Sequence, residues 1–144
     1  MGQLMPDWEQ RGGFRCYRDA DILFLEIHGV FSLEDAQQMF ELLDGIRLKF
    51  GYVLTVFDAS DAGGMSAAAR RLVGQRTRED NIHGASAIIG ASFPIRTLVQ
   101  LLRNAIRLFG GDQSPIVFCA TVDEALQWLA EQRPMMQRAA AVTR

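Results

Sequence analysis

The sequence predicts one α/β domain built on a mixed, mainly parallel β-sheet. Apolar strand-like segments alternate with amphipathic helix-like segments along most of the chain, which is the pattern of βαβ units. The run YVLTVFDA (52–59) is apolar almost throughout, as is typical of a parallel strand covered on both faces. Two strand-like segments near the start follow each other without a helix. The expected order is therefore ββαβαβαβα, with helices in right-handed crossovers.

The first two strands are predicted to form an antiparallel pair. FRCYRDA (14–20) alternates apolar and polar residues like an edge strand, and DILFLEIHG (21–29) places Glu26 and His28 on one face. The link between these segments is too short for a crossover.

Capping signals predict where the helices begin and end. Ser32, with Asp35 three residues later, forms a capping-box pattern at the start of the first helix, and Gly51 ends that helix. Thr121 and Glu124 repeat the pattern before the last helix, which Pro134 is expected to end. The elements between them are a helix over about 66–80, a strand over 84–92, a helix over 94–111 and a strand over 115–120.

Length and charge limit the function classes. The 144 residues suit one domain, which we place at 14–133 between an N-terminal arm (1–13) and a C-terminal tail (134–144). A net charge of −2 argues against nucleic acid as the main partner, because phosphate binding needs a basic field. No signal-peptide core and no apolar run of membrane-spanning length stand out, so a cytoplasmic location is expected. Cys16 and Cys119 are expected to be reduced, although a bridge between them is an alternative.

The stretch DASDAGGMSAAA (58–69) is predicted to be a loop that joins a strand to a helix. It lacks the Gly-Lys-Ser/Thr ending of a P-loop and the glycine spacing of a dinucleotide site, so nucleotide binding is not favoured. Asp58 and Asp61 alone are too few ligands to predict a metal site. Ser66 is positioned to cap the following helix. We call Asp58, Ser60, Asp61 and Ser66 the rim.

Residues 14–133 resemble the STAS domain superfamily, which has the SpoIIAA-like fold of anti-sigma-factor antagonists. The resemblance is carried by the element order, by the strand VLTVFDAS and by Ser66, which opens the next helix eight residues after Asp58. In that family the joint reads Asp-Ser-x-Gly and the serine is phosphorylated; here Met65 and Ala68 stand where the family has aspartate and glycine. The resemblance implies a phospho-acceptor position at Ser66 without the rest of the motif. Within the superfamily, the chain looks closer to the divergent SpoIIAA-like (STAS/SEC14-like) group.

The helix after Pro94 has an unusually broad apolar face. The first interpretation of this pattern is a well-buried crossover helix with a solvated basic edge. It could instead lie on an anionic membrane, cover an apolar cavity against the sheet, or meet a protein partner. The apolar set is Ile95, Leu98, Val99, Leu102, Ile106 and Phe109, widened by Leu101 and Leu108, beside a stripe of Arg96, Arg103 and Arg107.

We therefore expect a non-catalytic regulatory module that binds a protein partner through the rim. The alternative is a module for an apolar small ligand or lipid, associating peripherally with membranes through the 94–109 helix. No catalytic residue, metal ligand or cofactor is predicted, since His28 and His83 lack partners at suitable spacing. A homodimer is also possible, because an open sheet leaves edges to cover.

These hypotheses differ in what a structure should contain. A docking module needs an exposed rim and no large internal cavity. A ligand module needs an apolar pocket beneath a loosely packed 94–109 helix. An enzyme needs polar groups with shifted pKa values that converge in a cleft.

Overall fold

The computed structural model describes residues 7–79, 84–108 and 114–143. The strands are β1 (Glu9–Arg11), β2 (Phe14–Asp19), β3 (Ile22–Phe31), β4 (Val53–Met65), β5 (Gly84–Ile89) and β6 (Ile116–Cys119). The helices are α1 (Leu33–Phe50), α2 (Ala67–Glu79), α3 (Phe93–Leu108) and α4 (Val122–Thr143). The six strands form one sheet in sequential order, antiparallel from β1 to β3 and parallel from β3 to β6. The predicted fold class is confirmed.

The helices cover the two faces of the sheet unequally. Helices α1 and α2 pack on one face, and α3 lies beside α2 on that side against β4. Helix α4 packs on the opposite face, mainly against β5. We call these the three-helix face and the α4 face. Each has its own core, centred on Leu23, Leu25, Phe40 and Ile46 in the first case and on Phe24, Leu54, Ala87 and Leu129 in the second.

A short strand, β1, lies within the stretch expected to be an arm. Residues Glu9–Arg11 pair with β2, and the Trp8 ring packs edge-on against Tyr17 with 4.6 Å between ring centroids. The Arg15 guanidinium lies 4.2 Å above the Trp8 ring. Three polar residues carry no periodic signal, so the sequence pattern could not indicate this strand.

Asp35 joins the first turn of α1 to the turn between β1 and β2. The predicted capping box is present: the Asp35 amide donates to Ser32 Oγ over 3.1 Å, and the Ser32 amide donates to Asp35 Oδ2 over 3.0 Å. The Gly13 amide also donates to Asp35 Oδ1 over 2.9 Å. A Cβ at Gly12 or Gly13 would lie 2.7 Å from a carboxylate oxygen of Asp35, so a larger residue at either position would push this carboxylate away from its hydrogen bonds.

The expectation that Pro134 ends the last helix is wrong, because α4 continues to Thr143. The lost backbone hydrogen bond is offset by contacts on both sides of the proline. Before it, Arg133 binds Asp21 with Nε–Oδ2 and Nη2–Oδ1 distances of 2.7 and 3.0 Å. After it, Ala140 is buried in the core of the α4 face.

The buried carboxylate of Asp21 accepts three hydrogen bonds, two of them from Arg133. Besides Arg133, the Tyr52 hydroxyl donates to Asp21 Oδ2 over 2.6 Å. Burial alone would raise the pKa of the Asp21 carboxyl, but the hydrogen bonds from Arg133 and Tyr52 outweigh it, so the pKa lies below its usual value. This cluster ties α4 to the strands at their amino ends.

Both cysteines are free, as expected. Cys16 lies on β2 and Cys119 on β6, with three strands between them. Four strand spacings amount to roughly 19 Å, which excludes the alternative of a bridge within one chain. Burial raises the pKa of the Cys16 thiol.

Replacing Arg133 by Met should lower the free energy of unfolding by about 2–3 kcal/mol at pH 7, because Asp21 would keep its buried charge without its main partner. The folded-state pKa of Asp21 is depressed, so the contribution is complete above about pH 4 and is lost as the pH falls through that pKa. Urea unfolding at pH 7 and pH 3 should therefore show a gap between parent and variant that narrows at pH 3. The matched control is Arg138→Met, on an exposed position of the same helix. An equal loss in both variants would contradict the assignment.

Candidate functional site

An apolar cavity of about 280 Å³ lies between the three-helix face of the sheet and the helices α1, α2 and α3. Its floor includes Thr55, Phe57, Ser86 and Ile88 from β4 and β5. Its roof is the inner face of α3, formed by Ile95, Leu98, Val99, Leu102 and Ile106. These five residues are the face predicted from periodicity; Phe109, the sixth, lies outside the described residues.

Small residues on the sheet explain why there is space beneath α3. On this side β4 presents Thr55 and Ala59, and β5 presents Gly84 and Ser86. A Cβ at Gly84 would lie 2.9 Å from the Val53 carbonyl oxygen, so no larger residue fits there without a shift of the backbone. Helix α3 contacts chiefly α2 and β4. The larger side chains of the floor are Phe57 and Ile88.

The sequence pattern first predicted a well-buried crossover helix, and α3 is not one. Ile106 is its one buried residue within Phe93–Leu108. Phe93, Leu101 and Leu108 are 82%, 62% and 83% exposed. The helix thus has a cavity on one side and exposed apolar side chains on the other.

The three arginines of α3 do not form one uniform stripe. Arg96 Nε donates to the Ala91 carbonyl over 3.3 Å, and its guanidinium lies 5.2 Å above the Phe118 ring. Arg107 is exposed, whereas Arg103 is partly buried and lines the cavity.

The stretch expected to be a loop is a continuation of β4, which corrects that prediction. Strand β4 stays paired with β3 as far as Met65, opposite Phe31, with register shifts on the way. Such bulges let glycine-rich residues extend a strand that reads as a turn. Asp58 Oδ1 accepts from the Ser60 amide and hydroxyl over 3.0 and 2.7 Å.

Ser66 caps α2, as its position predicts. Its Oγ accepts from the Ala69 amide over 3.1 Å, and its own amide donates to the Phe31 carbonyl over 2.9 Å. The side chain is half-buried. Phosphorylation of Ser66 remains a prediction.

A charged cluster that sequence reasoning did not assemble lies on the α4 face, beside the rim. His28 Nδ1 lies 2.9 Å from Asp61 Oδ2, and His28 Nε2 lies 2.9 Å from Glu26 Oε1. Arg15 binds the other oxygen of Glu26 over 2.8 Å. The alternation of β3 placed Glu26 and His28 on one face, but Asp61 comes from a strand 33 residues away. The only part of this cluster that the sequence pattern could indicate was therefore the pair of Glu26 and His28 on β3.

The neighbouring carboxylates raise the pKa of the His28 imidazole above its usual value. The hydrogen bond to Asp61 raises the pKa of His28 most, partial burial opposes it, and Glu26 adds to the rise. The His28 side chain is 41% exposed and that of Asp61 77% exposed, so the cluster lies on an open surface. The two carboxylates thus hold the imidazole at both ring nitrogens.

Two further features of the described residues bear on function. Within 7–79, 84–108 and 114–143, no three His, Cys, Asp or Glu residues are grouped so that they could hold a metal ion. In the same ranges, no helix has the length and hydropathy needed to cross a membrane.

Comparisons with known proteins identify the fold. The sequence matches no family model and no curated protein. Among solved structures, the chain is similar to the anti-sigma factor antagonist SpoIIAA in its unphosphorylated form, at 15% identity and a TM-score of 0.58 over 81% of this chain and 97% of that one. It is also similar to an uncharacterized protein of the DUF3478 family from Shewanella loihica PV-4, at 21% identity and a TM-score of 0.52 over 90% and 98% of the two chains. The chain has the SpoIIAA-like fold that the resemblance implied.

The His28 cluster yields a titration that can be measured. In an NMR titration, the ring protons of His28 should show a midpoint above the usual value of about 6.5. The Asp61→Asn variant should move that midpoint down towards 6.5, because it removes the largest influence on the pKa. A His28→Gln variant identifies the signal against that of His83. A midpoint at or below 6.5 in the parent would contradict the geometry of the cluster.

Proposed function

We propose that this SpoIIAA-like domain is a non-catalytic binding module that holds a small apolar ligand beneath α3. One observation supports this most strongly: a cavity of about 280 Å³, lined largely by apolar side chains, lies under a helix with a single buried residue. Of the hypotheses drawn from the sequence, the ligand module is the one that requires both features.

The size of the cavity limits the ligand. Its volume is about 280 Å³. It lies at the lower end of the range for small-molecule sites, about 300–1,000 Å³. A single short chain or a small ring system fits, and a two-chain lipid does not fit without displacement of α3.

The lining supports binding without catalysis. Among the described residues that line the cavity there is no carboxylate, imidazole or thiol. Thr77, one of the hydroxyl groups there, donates to the Val73 carbonyl over 2.7 Å. A hydroxyl without a neighbouring base is a weak nucleophile, so the site is suited to hold a molecule rather than transform it.

Entry to the cavity would involve α3. This helix contacts chiefly α2 and β4, and its outward side chains make little contact with the rest of the protein. The cavity is already partly open to solvent, and a modest displacement of α3 would widen it at a small loss of buried area. Association of Leu101 and Leu108 with a membrane surface, and dimerisation through a sheet edge, remain predictions.

Docking of a protein partner through the rim is the second candidate. Ser60 and Asp61 are exposed, and the charged cluster of Arg15, Glu26 and His28 continues the same surface. One protein that shares this fold is described as an anti-sigma factor antagonist, which supports a regulatory role of this kind. A cytoplasmic location is part of this proposal.

Filling the cavity should abolish ligand binding. Isothermal titration calorimetry with decanol should detect binding to the parent, and Ser86→Phe should weaken it at least tenfold, because the ring would occupy the floor of the cavity. Gln100→Phe adds the same ring at an exposed position of α3 and should bind decanol like the parent. Equal binding by Ser86→Phe, or none by the parent, would count against the ligand site.

The docking candidate is tested by reversing one charge of the rim. A partner that recognises the rim should be retained from native cytosol by the immobilised parent and lost with Asp61→Lys. Glu131→Lys makes the same change at an exposed position of α4 and should retain it. Identical sets of retained proteins for all three forms would remove this candidate.

A further inference from the structure

Arg103 is an unusual member of the cavity lining. It is the one charged side chain among the described residues there. Its Nε is inaccessible to water and has no hydrogen-bond partner. The other polar groups of the lining are hydroxyls and backbone.

Comparison with other arginines shows what is missing at this position. Within the described residues, three further arginines have a buried Nε without a partner. Each of them binds a carboxylate through Nη2: Arg11 binds Glu9 at 3.0 Å, Arg15 binds Glu26 at 2.8 Å and Arg47 binds Asp44 at 3.2 Å. Within residues 7–79, 84–108 and 114–143, Arg103 forms no such ion pair, and no acidic side chain of these residues lines the cavity.

We propose that the cavity takes a medium-chain aliphatic carboxylate whose head group binds Arg103 and whose chain lies between α3 and the floor formed by Thr55, Phe57 and Ile88. The proposal rests on the proposed function and specifies its ligand. A cation beside an apolar surface is stabilised most by an anion that accepts two hydrogen bonds, and the planar guanidinium matches a carboxylate in this way. The apolar chain is held by the burial of its surface.

The chain length follows from the volume. A volume of about 280 Å³, near the lower end of the range for small-molecule sites, suits a ligand with one aliphatic chain of medium length. Decanoate and decanol are therefore suitable probes: their chains are equally long, and they differ in the charge of the head group.

The test compares these two probes by calorimetry at pH 7.5 on four proteins. The parent should bind decanoate at least tenfold more tightly than decanol, in line with the strength of a charge-assisted hydrogen bond. Arg103→Gln should lose at least tenfold in decanoate affinity and keep its affinity for decanol. Arg103→Lys, which keeps the charge, should recover part of the loss. Arg71→Gln, at an exposed position of α2, should behave like the parent.

The outcomes separate this proposal from the function on which it rests. If the parent binds decanol as tightly as decanoate, or if Arg103→Gln leaves decanoate binding unchanged, the carboxylate proposal is overturned and the apolar site stands. If the parent binds neither probe, both are overturned. Thermal unfolding of each protein without ligand verifies that the variants fold. If Arg103→Gln does not fold, the parent and Arg103→Lys are compared by the ratio of decanoate affinity to decanol affinity. This ratio should be at least ten in the parent and smaller in Arg103→Lys, and a ratio near one in the parent would overturn the proposal.

Discussion

The handedness of three crossovers determines how this protein is covered. With strands in sequential order, the connections β3–α1–β4, β4–α2–β5 and β5–α3–β6 are all right-handed and place three helices on one face. Only α4, which follows the last strand, is free to cover the other face. A six-stranded sheet thus has three helices on one side and one on the other, and both surfaces discussed above result from this arrangement.

On the α4 face, one helix is too narrow for the whole sheet. It is fixed over the amino ends of the parallel strands by Arg133 and Asp21, with Tyr52 as the third member. Beside it, β3 and β4 expose His28 and Asp61.

On the three-helix face, the chain has enough helices but too little side-chain volume. Large residues from α1, such as Phe40 and Ile46, fill the space above β3. Further along the sheet, Gly84 and Ser86 provide much less, and α3 lies over a cavity instead of a core. Helix α3 therefore has a loosely packed inner face and exposed leucines on its outer face.

Local signals in the sequence were sufficient for most of the fold. The caps at Ser32, Gly51 and Ser66 form as predicted, because each depends on residues within one turn. The inner face of α3 was also predicted, since it depends on periodicity alone. The continuation of α4 through Pro134 was missed because the contacts beside the proline, such as that of Arg133 with Asp21 112 residues away, leave no local signal in the sequence. The cavity was anticipated as one alternative, but the pattern of α3 could not decide it, because the pattern carries no information on the residues of β4 and β5 that lie opposite the helix.

The central claim is that a stable apolar cavity exists beneath α3 in the folded protein. Xenon binds in cavities of this kind, so a crystal of the protein under xenon pressure tests the claim directly through anomalous scattering. The account predicts xenon between α3 and the strands β4 and β5, near Phe57 and Ser86. A structure without xenon there, in which the inner leucines of α3 pack directly onto Ser86 and Ile88, would contradict it.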